Sequence, residues 1–230
     1  MTDTSMGASE VARSTRATAK MAWAGIIFAV LYVAGMLLAG SSPSDIDELN
    51  DDPVGLAASW HDYYTDSGNR TVILGGVFAL MLASVAVVVF GSVLRERLAD
   101  AGAATAGRLT FAASIMFGTV TLVGAVALAW IPGTKEFADM AIPTSDLVYM
   151  ASQLGFGVLL LPGGAAAGFM LVTSGFAAAR RGVLPVWLGW AGVVCGVIVF
   201  VLGGLFVTMA LLVLWTLIAA IVLLRRPTAV

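Results

Sequence analysis

The sequence predicts an all-α integral membrane protein: a bundle of six transmembrane helices, with the N- and C-termini cytoplasmic and a short interfacial helix in the first outer loop. Three observations carry this. The chain of 230 residues is 60% hydrophobic and only 11% charged, whereas ordinary globular domains are about a quarter charged. The charged residues are clustered and leave long uncharged runs, and about 18 apolar residues suffice to cross a bilayer core of about 30 Å as a helix. The basic residues also divide very unevenly between the connecting segments. Runs this long suit helices rather than the alternating strands of a barrel, because every backbone polar group in lipid must be satisfied within the fold.

Residues 1–20 are small and polar, with Arg13, Arg16 and Lys20. They bury no core and read as a disordered cytoplasmic tail. The apolar run from residue 21 to 40 is longer than the roughly 7–15 residues of a signal-peptide core, so it is expected to remain as the first span. The AGSS after Leu38 is only weakly cleavage-like.

Residues 41–70 form the outer loop, with seven acids and the single base Arg70. Asp52 followed by Pro53 reads as an N-cap and first helical position. Val54, Ala57, Trp60, His61 and Tyr64 recur at helical spacing, which predicts a helix over 53–64 along the membrane surface. The run DIDELNDD (Asp45 to Asp52) lacks the order of a calcium-binding loop, with Leu49 at the fifth ligand position and Asn50 where glycine is required. It reads as a solvated acidic loop able to attract cations.

The second span covers 71–94, ended by Arg95-Glu96-Arg97 and a Gly/Ala-rich loop to Arg108. The third covers 109–131 and is expected to stop at Pro132-Gly133. Pro143, Thr144 and Ser145 suit the entry to the fourth. Its 33 uncharged residues, 147–179, predict one tilted helix kinked at Pro162-Gly163-Gly164. Arg180 and Arg181 end it. The 39 uncharged residues 186–224 divide best at Gly203-Gly204 into spans 186–203 and 204–224. Residues 21–226 thus form one transmembrane domain.

With both termini on the side of Arg180, ten basic residues (Arg13, Arg16, Lys20, Arg95, Arg97, Arg108, Arg180, Arg181, Arg225, Arg226) face Arg70 and Lys135 on the other side. By the positive-inside rule the ten mark the cytoplasm. Arginine outnumbers lysine ten to two amid abundant alanine and glycine. That bias accompanies GC-rich bacterial genomes, and the expected location is a bacterial plasma membrane.

The segment GVLPVWLGWAG (Gly182 to Gly192, with Pro185, Trp187 and Trp190), Trp215 in the last span, the terminal LLRR and the Asn69-Arg70 pair before the second span resemble the uncharacterised six-span membrane proteins common in actinobacteria, filed as domains of unknown function. The resemblance covers most of 20–226. It implies the six-span fold and carries no activity.

Single Cys195 and His61 exclude a disulfide framework, a haem held by two histidines of this chain and a His-rich metal site. No cofactor, metal or nucleic-acid partner is expected; the partners are the lipid bilayer and another membrane protein. The predicted spans hold no Asp, Glu, Lys, Arg or His, which argues against a proton-coupled pump.

Two regions offer candidate sites. In the fourth span, Gln153, Pro162 and Thr173, with Trp215 from the sixth, mark a ligand pocket at mid-depth, since Pro162 frees the carbonyl of Val158. The reading preferred to this is packing: Gly164 and Gly168 form a small-residue face against a neighbour, and Trp215 reads as a packed side chain. In the outer loop, Trp60, His61, Asp62 and Tyr64 offer a general base outside the membrane. No motif ties a nucleophile to His61, and a packed or headgroup-facing histidine is the preferred reading.

The leading expectation is a non-enzymatic accessory protein that binds a partner or lipid. One alternative is a permease for an uncharged or amphipathic solute built on Pro162. The other is an outer-face lipid-modifying enzyme using His61.

Overall fold

The computed structural model describes residues 21–44, 52–203, 205 and 207–225. The expected tail 1–20, the run Asp45 to Asp51, Gly204 and the terminal residues 226–230 lie outside them. Among the described residues the chain forms seven helices and no strand: α1 (Trp23–Ala39), α2 (Pro53–Thr65), α3 (Ser67–Asp100), α4 (Ala104–Ala138), α5 (Ser145–Arg181), α6 (Val186–Leu202) and α7 (Thr208–Arg225). Four of them, α3, α4, α5 and α7, are long and apolar enough to cross a membrane; α1 and α6 are apolar helices of 17 residues each. The protein is therefore a membrane-embedded helical bundle. Its apolar exterior, with Leu37, Phe78, Leu82, Val126 and Val201 all exposed, has no place in water.

The helices pack in chain order, α3 on α4, α4 on α5 and α5 on α6, while α1 fills the gap between α3 and α7. Small residues set the spacing. A Cβ on Gly91 would meet the Ser114 side chain, one on Gly168 would lie 2.6 Å from the Gly196 carbonyl oxygen, and one on Gly175 would lie 2.6 Å from that of Gly189. Lipid tails are as apolar as leucine, so helices gain little from apolar burial alone and associate by close backbone approach. The core is aromatic at its centre: Phe28, Tyr32 and Phe117 lie with ring centroids 5.3–6.0 Å apart.

Two expected stops do not stop the backbone. Arg95-Glu96-Arg97 lie inside α3, which runs on to Asp100. Charge bars a residue from hydrocarbon, yet arginine and glutamate are good helix formers. The turn is only three residues long. Gly102, at φ 78°, closes a Schellman motif in which Ala103 N–H donates to Leu98 O at 2.7 Å and Gly102 N–H to Ala99 O at 2.9 Å. Pro132 likewise lies inside α4, which continues to Ala138. A proline there removes one helical hydrogen bond and crowds the carbonyl four residues back. Contacts made by the residues beyond it offset that cost, as described below.

Pro162 also sits within an unbroken helix. At 1.5 Å per residue α5 is about 55 Å long, well over a bilayer core. Gly182 at φ 70° ends it. Pro185 caps α6, and Arg180 stacks on Phe176 with its guanidinium carbon 4.3 Å from the ring centroid. Trp187 and Trp190, like Trp23 and Trp130, are exposed, as interfacial anchors are.

Candidate functional site

The end of the bundle that carries α2 is built around Arg70. Asp52 caps α2 as its residue type predicts: its carboxylate accepts from the Val54 and Gly55 amides, each at 3.1 Å. Thirteen residues later the helix ends at Thr65, and Asp66 alone separates it from α3. Asp66 also caps α3, accepting from the Asn69 amide at 3.0 Å. This sharp corner leaves the last carbonyls of α2 without helical partners. The first turn of α3 supplies them. Asn69 Nδ2 donates to Tyr63 O at 3.1 Å, and Arg70 Nη1 donates to Tyr64 O at 2.9 Å and Thr65 O at 2.7 Å.

Arg70 is only 7% exposed, and a buried charge needs a counterion. Arg70 Nε finds Glu136 Oε2 at 3.1 Å. Glu136 lies beyond Pro132, so the pair exists only because α4 runs through that proline. The extension is further tied by Thr134 Oγ1 donating to Ile131 O at 3.0 Å and by Lys135 Nζ against Asp139 at 2.7 Å. That bond and charge hold the Asp139 carboxyl below its ordinary range. A positive group at a helix C-terminus is favourable in itself, so Arg70 serves α2 twice.

With its end fixed, α2 packs on α5 and α3. Leu56, Ala57, Trp60 and Tyr64 are buried. Trp60 stacks on Tyr64 at 6.0 Å and meets Tyr63 edge-on. Burial, with a smaller contribution from Tyr63, pushes the Tyr64 phenol up to about 12. Stability from keeping Tyr64 neutral is therefore complete below pH 10 and is lost as the pH rises through about 12. His61 and Asp62 sit on the other face. His61 is part-buried and Asp62 exposed, with Nδ1 3.6 Å from Oδ1. Trp60 and Tyr64 therefore belong to the packed side of α2, and His61 and Asp62 to its open side.

The second group is brought together only in part. Gln153 and Pro162 are both exposed and line one open apolar groove of about 710 Å³, with Trp130, Tyr149, Met150, Gly157 and Leu161. Thr173 lies eleven residues beyond Pro162, about 16 Å along the axis. There it donates to Phe169 O at 2.8 Å and meets Thr110 Oγ1 at 3.2 Å across the α4–α5 contact. Trp215 is 3% exposed, and its indole N–H donates to Leu188 O at 2.9 Å. Gly192 leaves the space for that indole, since a Cβ there would lie 2.6 Å from Nε1. Trp215 thus fastens α7 to α6.

Among the described residues no three His, Cys, Asp or Glu side chains gather as metal ligands. No protein-family model matches the chain, and no curated protein or solved structure is significantly similar to it.

Sequence reasoning passed over the Arg70–Glu136 pair because its members are 66 residues apart on opposite sides of a proline. The available signal was Asn69-Arg70, two strong side-chain donors directly after a helix end, with Arg70 the lone base of an acidic loop. Arg70→Met is expected to cost about 2–3 kcal/mol of unfolding free energy in mixed micelles, because it also leaves buried carbonyls unpaired. Glu136→Gln should cost about 1 kcal/mol. A double-mutant cycle should give a coupling of about 1 kcal/mol or more, whereas additive effects would show that the pair is incidental.

Proposed function

We propose that the chain is a six-span protein of a bacterial plasma membrane, with both ends in the cytoplasm, that acts without catalysis by receiving a transmembrane helix of a partner protein. The single observation that carries the reading is the groove on α5. Over Gly164, Gly168 and Gly175 this helix face lies against α6, with Gly203 Cα 2.6 Å from a Cβ built on Gly164. Seven residues earlier, on the same face, a Cβ on Gly157 meets nothing within 4 Å. The α6–α7 turn begins at Leu202, level with Gly164, so the packing face of α5 outruns its partner. What remains is a stripe at helical spacing (Met150, Gln153, Leu154, Gly157, Leu161) with Trp130 of α4 on its flank. A stripe with glycine at its centre admits close approach of another backbone, and Gln153 and Tyr149 offer hydrogen bonds at its edge.

The six-span count is supported by the two 17-residue apolar helices, each about 25 Å long, which suffice for a short crossing between longer neighbours. The orientation is supported by the placement of Arg95, Arg97, Arg180, Arg181 and Arg225 at one end of the bundle, and of α2 and its acids at the other. The resemblance to uncharacterised actinobacterial six-span proteins is supported by the turn that Gly182, Pro185, Trp187 and Trp190 build. Among the alternatives, a solute site at Pro162 has the groove in its favour, but that groove opens to the lipid side and is almost wholly apolar. An enzyme at His61 has Asp62 beside it, but no sequence motif ties a nucleophile to it.

Alkaline phosphatase fused after Met140 should be active and fused after Gly102 inactive; the reverse would overturn the orientation. Gly157→Leu, which fills open space, should leave the midpoint of thermal unfolding within a few degrees of the parent and abolish co-purification of a membrane protein from native membranes. Gly168→Leu, which meets backbone, should lose folded protein. A parent chain that purifies from those membranes with no companion would contradict the proposal.

A further inference from the structure

The groove on α5 belongs to a longer stripe. The inner face of the helix, with Val148, Ser152, Gly155 and Leu159, is buried in the bundle. On the opposite side Leu147, Met150, Leu154, Gly157 and Leu161 follow one another at intervals of three and four residues. That is the heptad spacing by which two parallel helices pack side by side. The four large members are 42–67% exposed, and a Cβ on Gly157 would meet nothing within 4 Å. Below Leu161 the exposed side continues beside α6 through Phe169 and Phe176, 42% and 40% exposed. From Leu147 to Phe176 the stripe is about 44 Å long.

Lipid tails cover the lower part of such a stripe at no cost. They do not cover its top. A Cβ on Gly155 would lie 2.6 Å from the Leu128 side chain, so these two positions of α5 and α4 are level. Eight residues further out on each helix, Leu147 is level with Glu136, the counterion of Arg70. Charged groups do not stand in bare hydrocarbon. Leu147 and Met150 therefore expose apolar surface among headgroups and water, where such surface marks a protein contact. The cover that fits the whole stripe is a helix whose own apolar face runs equally far past the hydrocarbon, and α5 is such a helix. A second copy inserted with the same orientation holds its α5 at the same depth, parallel and in register. Each residue of the stripe then faces its counterpart, and Gly157 opposes Gly157, where the backbones approach most closely. The six large exposed side chains offer on the order of 600 Å² per copy, so a pair buries about 1,200 Å², which reaches the range of specific interfaces.

We propose, on the helix-docking role given above, that the partner received by α5 is a second copy of this chain. The two chains dock their α5 helices in parallel about a two-fold axis along the membrane normal.

The test uses the full chain in its native membrane, with Cys195→Ser removing the single native cysteine. Oxidation with copper phenanthroline should convert Met150→Cys into a disulfide-linked dimer. Val72→Cys, on α3 and 41% exposed, should stay monomeric. Adding Gly157→Leu to Met150→Cys should lose the dimer, and a tagged parent chain should capture an untagged copy that the tagged Gly157→Leu chain does not. Equal cross-linking at Val72→Cys, a dimer that survives Gly157→Leu, or no dimer would each overturn the second copy as partner. If the tagged parent then captures a different protein and Gly157→Leu loses it, helix docking on α5 stands and only the second copy falls; if it captures neither, both fall.

Discussion

Arg70 is the constraint on which the non-bundle part of this protein depends. An arginine that is 7% exposed in an apolar protein must be paired, and its partners dictate the surrounding architecture. Two are the last carbonyls of α2, which fix that helix against the bundle. The third is Glu136, which reaches it only if α4 passes through Pro132. The same interaction therefore explains why a short amphipathic helix packs rather than frays and why a proline fails to end a helix. A single residue, Asp66, makes the corner that brings these groups within reach, capping one helix as the other ends.

Below this cap the energetics change character. Close contact between backbones at Gly168, Gly175 and Gly196 replaces the hydrophobic drive that lipid removes. Aromatic packing at Phe28, Tyr32 and Phe117, together with the Trp215–Leu188 hydrogen bond, locates α1 and α7. The candidate docking face follows from where this packing is incomplete. Along α5 the glycine face continues past the end of α6 and leaves a groove.

Much of this was legible in the chain. Membrane character followed from composition, α2 from Asp52-Pro53 and its aromatic spacing, and the α5–α6 turn from Arg180 to Pro185. Helix ends were harder to read, for one physical reason. Arg95-Glu96-Arg97 and Pro132 mark where hydrocarbon or an ideal hydrogen-bond ladder stops, and neither marks where backbone stops being helical. At Pro132 the deciding contact comes from residue 70, which no local window includes. Trp215 read correctly as a packed residue, although its carbonyl partner on α6 was invisible in sequence. Gln153 and Pro162 offer either a polar pocket at mid-depth or a bend made for packing, and sequence alone does not say which side of α5 they occupy. Their side of α5 depends on how far α6 extends, which is a tertiary fact.

The measurement that tests the role of Arg70 most directly is amide hydrogen exchange of the parent chain and Arg70→Met in lipid nanodiscs. Slow exchange is expected across residues 56–65 in the parent, comparable with the first turns of α3, with selective loss of that protection in the variant while residues 76–94 stay protected. Rapid exchange of α2 in the parent, or unchanged protection in the variant, would contradict that role.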